Sequence, residues 1–148
     1  MNKDQMRHTV LMVEDDPLEI ELVRSAAAES CQNLDLVVLQ DTDAVLGWLS
    51  GDAAKNRQMP SVILIDLKLP KLGGLAVLRK LRMNAVARDV PILAFSAEYT
   101  KDEVQMSYRA GANSFVAKPA GFQQFIEFFC EKIPYWLEPR QRVLTASC

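Results

Sequence analysis

The chain predicts an α/β fold, a doubly wound parallel sheet of five strands with helices on both faces. Three observations carry this. Five short β-type apolar runs recur through the 148 residues. Segments of helical periodicity separate them, so successive strands are joined by the long crossovers that parallel pairing needs. Apolar residues make up 49% and charged residues 24%, the balance of a globular core rather than of a disordered chain. Right-handed crossovers then leave few topologies.

The first run is Thr9–Val13 (TVLMV). Asp16 stands at the N-cap of the helix that follows, with Pro17 at its first position and Glu19 three residues after the cap, a capping-box arrangement. Leu18, Leu22, Val23 and Ala26 then recur at helical spacing. The second run, Leu34–Leu39, precedes a helix from Thr42 to Leu49 that Ser50-Gly51 ends. Asp52–Pro60 is polar and reads as a surface loop. The third run is Val62–Ile65, and Gly73-Gly74 leads into a helix carrying Leu75, Val77, Leu78 and Leu81. After Ile92–Phe95 a fourth helix opens at Thr100, with Glu103 three residues on, and closes at Gly111. Ser114–Val116 leads to the last helix, whose Phe122, Phe125, Ile126, Phe129 and Ile133 read as one stripe that leaves Phe128 outside. Pro134 is expected to end it, which gives one domain over residues 8–133 and a tail over 134–148, with no output domain.

Several function classes drop out. A net charge of −2 supplies no basic field for nucleic acid. Apolar runs fall far short of the ~18 residues of a membrane span, and the N-terminus lacks the apolar segment of a secretory signal. Cys31, Cys130 and Cys148 form no CxxC pair, so reduced thiols in a cytoplasm are expected. There is no P-loop, GxGxxG or GxSxG, and the one histidine, His8, reads as a strand-start residue.

In an open α/β sheet, ligands gather at the carboxyl ends of the strands. The residues that follow the apolar runs there are Glu14, Asp15 and Asp16, then Asp66, Ser96 and Lys118. One such group could be a turn residue; carboxylates, a hydroxyl and an ammonium on the same edge point to a site. Three converging carboxylates would repel and raise a pKa unless a cation intervened, and hard oxygen ligands suit Mg²⁺. Asp16 is assigned to helix capping because Pro17 follows it.

VLMVEDDP, ILIDLKLPKLGG, ILAFSA and SFVAKP, in that order over Val10–Glu131, resemble the response-regulator receiver family of two-component signalling. VEDDPLEIELV, DLKLPKLGG, the loop before the third strand and the PYWLE segment are most similar to small receivers paired with phytochrome-type histidine kinases. The resemblance implies a flavodoxin-like (βα)5 fold with strand order 2-1-3-4-5. It makes Asp66 the phosphoacceptor, with Lys118 pairing it at rest and a phosphoryl oxygen afterwards. It implies a cis bond before Pro119, a switch hydroxyl at Ser96 and an aromatic switch at Phe115. Asp15, Asp66 and the backbone carbonyl of Lys68 would ligate Mg²⁺ directly, and Glu14 through water. Gly73-Gly74 replaces the commoner acidic or amide residue before glycine, with an expected loosening of the loop after Asp66.

The resulting expectation is a phosphoacceptor, not a turnover enzyme, that acts by binding a downstream protein or in a phosphorelay. Its partners are a histidine kinase and a second copy of itself, with neither nucleic acid nor membrane. The homodimer is placed on the fifth helix and tail, at Phe128, Tyr135 and Trp136, which a monomer would leave partly exposed; the alternative is that the tail folds back and buries Trp136 against its own domain. A salt bridge from Lys68 to Glu98 is expected across the site. The alternatives are weaker. A hydrolase using Asp66 would want a carboxylate where Lys68 stands. A flavin-binding domain would need a phosphate-cradling loop after the first strand, and a constitutive interaction module with a vestigial acidic site would not need the full residue set.

Overall fold

The computed structural model describes residues 7–30, 33–50, 59–69 and 73–137. The chain runs β1 (His8–Val13), α1 (Pro17–Glu29), β2 (Leu34–Leu39), α2 (Thr42–Ser50), β3 (Val62–Asp66), α3 (Gly74–Met83), β4 (Ile92–Ser96), α4 (Lys101–Arg109), β5 (Ser114–Ala117) and α5 (Phe122–Glu127). The strands pair in parallel in the order β2-β1-β3-β4-β5, as expected. Most of the 52–60 stretch and residues 138–148 lie outside the described residues, as do Cys31 and Cys148.

Period-two alternation in the central strands builds two core layers. Leu11, Val13, Ile63, Ile65, Ile92 and Ala94 meet α2 and α3 on one face. Val10, Met12, Val62, Leu64, Leu93 and Phe95 meet α1 and α5 on the other. Both faces of β3 and β4 are therefore buried along their whole length. Their ends are fixed against neighbours rather than free to fray. Among the described residues no helix is long and apolar enough to cross a membrane.

The last helix departs from expectation. A π-helical turn (Phe128–Lys132) carries the chain from α5 into α6 (Ile133–Leu137), so Pro134 lies inside helical structure. Proline has no N–H for the carbonyl four residues back, and its ring crowds that carbonyl. A turn widened to i→i+5 bonding, with the Ile133 N–H donating to the Phe128 carbonyl, accommodates it.

The interface expectation is corrected with it. Phe128 and Trp136 are only 4% and 8% exposed, covered by their own domain. Phe128 packs its ring 5.6 to 6.4 Å from those of Phe95, Phe125 and Phe129. The buried seam is Phe125, Phe128, Phe129, Ile133, Trp136 and Leu137, which is itself an i, i+3, i+4 pattern. Phe125, Phe129 and Ile133 of the expected stripe are buried and Ile126 packs partly against them; the stripe erred in including Phe122 and leaving out Phe128. Phe122 is exposed, and Tyr135 stays exposed with its ring edge-on to Trp136.

Candidate functional site

β1, β3, β4 and β5 end at one edge of the sheet and deliver Glu14 and Asp15, Asp66, Ser96 and Lys118 to it. β3 and β4 each run one residue farther than expected. Asp66 and Ser96 are thus strand residues, in register with Phe95 and Ala117 respectively. Ladder pairing, not a loop, sets their positions.

Asp66 is 5% exposed and both its oxygens are engaged. Oδ1 accepts the backbone N–H of Lys68 at 2.8 Å. Oδ2 accepts from Lys118 Nζ at 2.6 Å. The same ammonium lies 3.4 Å from Glu19 Oε2 and 5.9 Å from the centre of the Phe95 ring. Burial pushes the Lys118 pKa down, but the hydrogen bond and charge of Asp66, with Glu19 and Glu14 adding, outweigh it and hold the group above its ordinary value. Its backbone N–H donates to the Ser96 carbonyl at 3.0 Å, which ties the end of β5 to β4. The described peptide bonds, the one before Pro119 included, are trans, against the expected cis bond. Trans is the lower isomer even before proline, by about 0.5–1 kcal/mol.

Glu14 is buried, and its Oε2 accepts the backbone N–H groups of Asp15 at 3.2 Å and Asp16 at 3.1 Å. Burial raises the Glu14 pKa above the ordinary glutamate range, against the opposing effects of the Asp16 amide and Lys118. Glu14 Oε1 and Asp15 Oδ2 are buried oxygens with no hydrogen-bond partner. Asp16 caps α1 as expected, its Oδ1 accepting the Leu18 N–H at 3.0 Å. The expected capping box does not form. Glu14 takes the Asp16 amide, and Glu19 turns to Lys118.

Ser96 is fully buried, and its hydroxyl donates to the Glu98 carbonyl at 2.8 Å. Phe115 is half-buried. Its ring meets Tyr99 edge-on at 4.7 Å, and its backbone N–H donates to the Tyr108 hydroxyl at 3.1 Å. Lys68 pairs not with Glu98 but with Glu103, its Nζ 2.7 Å from Oε2. The middle of the loop after Asp66, where the two glycines are expected to have their loosening effect, lies outside the described residues, but the glycines themselves are placed. Gly73 has φ +73°, and a Cβ on Gly74 would lie 2.4 Å from the Asp66 carbonyl oxygen. The second glycine is what lets α3 start against the backbone of Asp66.

Two residues of this constellation escaped the sequence reading. Glu19 read only as a capping residue, though it stands in the first turn of α1, the end of the helix that faces the site edge. Glu103 read only as the N3 member of the α4 capping box, although a carboxylate has a second oxygen to offer.

Chemically, the edge presents one buried carboxylate held by a cation and an amide, beside acidic groups short of partners. Among the described residues no three acidic, histidine or cysteine side chains gather into a metal cage. The two orphaned oxygens are nonetheless hard donors. Mg²⁺, which keeps several waters and takes one or two protein carboxylates, fits that set.

Residues 10–129 match the family described as response regulator receiver domain. Response regulator Rcp1 of Synechocystis sp. (strain ATCC 27184 / PCC 6803 / Kazusa) is 27% identical over 130 residues, covering 87% of this chain and 88% of its own. The phosphorylated cyanobacterial phytochrome response regulator RcpA superposes with TM-score 0.73 at 26% identity, over 89% of this chain and 95% of its own. The Mn(2+)-bound form of Rcp1 superposes with TM-score 0.69 at 26% identity, over 89% and 96%.

Proposed function

We propose, since this chain belongs to the response regulator receiver domain family, that it accepts a phosphoryl group on Asp66 from the phosphohistidine of a histidine kinase. The observation that carries this reading is the buried Asp66–Lys118 pair at 2.6 Å, set beside two carboxylate oxygens without partners. An Asp66 oxygen forms the new O–P bond as the histidine N–P bond breaks. The electron pair stays on the imidazole, which takes up a proton. A carboxylate is a weak nucleophile, so the transfer depends on in-line positioning and charge neutralisation. Lys118 supplies one positive charge, moving from the Asp66 oxygen to a phosphoryl oxygen. Asp15, Asp66 and the Lys68 carbonyl would hold Mg²⁺ directly and Glu14 through water. When bound, the ion supplies the remaining positive charge. The Mn(2+)-bound form of Rcp1 supports a divalent cation in such a fold.

Once phosphorylated, the Ser96 hydroxyl leaves the Glu98 carbonyl for a phosphoryl oxygen, and the loop and Phe115 follow. The domain then acts in the cytoplasm by binding a downstream protein or passing the group on in a relay. The likeness to RcpA and Rcp1 supports a phytochrome-type kinase as donor.

Intact mass after incubation with Mg²⁺ and acetyl phosphate tests the reading. A gain of one phosphoryl group is expected in the wild type, with none in Asp66→Asn and none in excess chelator. No gain in the wild type, or an undiminished gain in Asp66→Asn, overturns it.

A further inference from the structure

We infer that Lys68 carries the phosphorylation state of Asp66 to α4 through its ion pair with Glu103. This rests on the function proposed above and adds a route that does not pass through Ser96 or Phe115. The bonds run in series. The Lys68 backbone N–H donates to Asp66 Oδ1 at 2.8 Å. Its ammonium lies 2.7 Å from Glu103 Oε2. The other oxygen of that carboxylate, Oε1, accepts the Thr100 N–H at 2.9 Å, and Thr100 Oγ1 accepts the Glu103 N–H at 3.1 Å. These last two bonds are the complete capping box of α4, and the Thr100 carbonyl also accepts the Val104 N–H at 3.1 Å. One carboxylate therefore closes the helix start and binds the loop that touches the phosphoacceptor.

The charge balance sets the direction. A phosphoryl group adds about −1.5 to −2 charge beside Lys68. It replaces the Oδ1 environment with several strong acceptors, while the Lys68–Glu103 pair is solvent-accessible on both sides, at 49% and 35%. The ammonium is drawn from Glu103 toward the phosphoryl group, and the first turn of α4 loses its tie to β3. By linkage, loosening of α4 in turn favours the phosphorylated arrangement. Lys118 cannot play this part, because Asp66 and Glu19 already enclose it.

Residue-resolved amide exchange on the full chain is the test, with and without Mg²⁺ and acetyl phosphate, after intact mass has established phosphorylation. Phosphorylation is expected to speed exchange at Thr100, Glu103 and Val104 about two- to fivefold, the range an exposed pair supports. In Lys68→Met those amides should exchange at the raised rate before phosphorylation and change no further after it. Glu103→Gln keeps the capping acceptor but not the charge, and should be equally unresponsive. Unchanged exchange in a phosphorylated wild type overturns the inference, as does a Lys68→Met response equal to the wild type's. Absence of any mass gain overturns the function it rests on, which is a separate result. Even then, equal exchange in unphosphorylated wild type and Lys68→Met would show that the pair does not hold α4.

Discussion

The carboxylates at one end of the sheet and Arg82 at the other are charged groups partly or wholly withdrawn from water, and their surroundings differ completely. Arg82, in the last turn of α3, donates Nε to the Gly111 carbonyl at 3.0 Å. Its NH1 reaches the Arg88 and Val90 carbonyls at 2.7 and 2.9 Å, and NH2 reaches Asn113 Oδ1 at 2.8 Å. Burial lowers the Arg82 pKa, against the charge of Asp89, but a guanidinium stays protonated. Asn113 Oδ1 also accepts the Ile92 N–H at 2.8 Å, so one cation fastens the turns that precede β4 and β5. Gly111, at φ +116°, leaves room for it: a Cβ there would lie 2.6 Å from Arg82 Cγ. Glu14 and Asp15, by contrast, each keep a buried oxygen that nothing satisfies. A half-buried charge whose donors all close on protein acceptors is a fastening. A buried one left open is costly to the fold and available to a ligand. The closed end fixes β4 and β5, and that lets the other end hold Ser96 and Lys118 in place without satisfying its acids.

Breaking the fastening should have the largest effect on stability. Arg82→Met takes the guanidinium donors from those carbonyls and leaves the Asn113 oxygen with the Ile92 N–H alone, and should cost about 3 kcal/mol in urea unfolding. Phosphoryl uptake per folded molecule should stay within about twofold of wild type. A collapse of uptake would show that the two ends are not separable. Gly74→Ala places a Cβ against the Asp66 carbonyl and should cost about 1–3 kcal/mol. Uptake should fall with it, because the displaced backbone is that of Asp66, the proposed phosphoacceptor. Gly111→Ala, strained by its φ and by Arg82, should cost a similar amount and leave uptake intact. Equal uptake in the two alanine variants would erase the contrast.

The smallest effect tests the open end directly. Glu14 has its folded pKa raised by burial, so the native state binds more protons than the unfolded state between the ordinary and the raised value. Wild type therefore loses stability relative to Glu14→Gln as pH rises through that window, and the difference vanishes below it. At pH 7, without metal, Glu14→Gln should be the more stable by about 0.5–1 kcal/mol, since its amide oxygen can keep both backbone bonds. Saturating Mg²⁺ should narrow or reverse the difference by stabilising the wild type more than the variant, which keeps the direct ligands but loses the charge behind the bound water. A wild type more stable than the variant at pH 7 in chelator would mean that Glu14 is already satisfied.

Strand and helix order, the sheet edge that holds the site, and the identities of Glu14, Asp15, Asp66, Ser96 and Lys118 were all legible in the sequence. Each stands within two residues of the end of an apolar run, and period, capping and run length are properties of a few adjacent residues. Partner choice was not. Lys68 has Glu98 and Glu103 among its possible partners, and the capping box of α4 holds the second where the ammonium can reach it. Glu19 prefers Lys118 to its own helix start because Glu14, from the turn before, has occupied the Asp16 amide. Phe128 and Trp136 face inward because a π turn takes the helix past Pro134 and keeps the seam on the sheet. The ion-pair alternatives are separated by only about 1 kcal/mol in local preference, and the helix phase is decided by burial against the sheet rather than by local preference. Residues far apart in the chain decide them, and only the folded sheet brings those residues within a side chain's length.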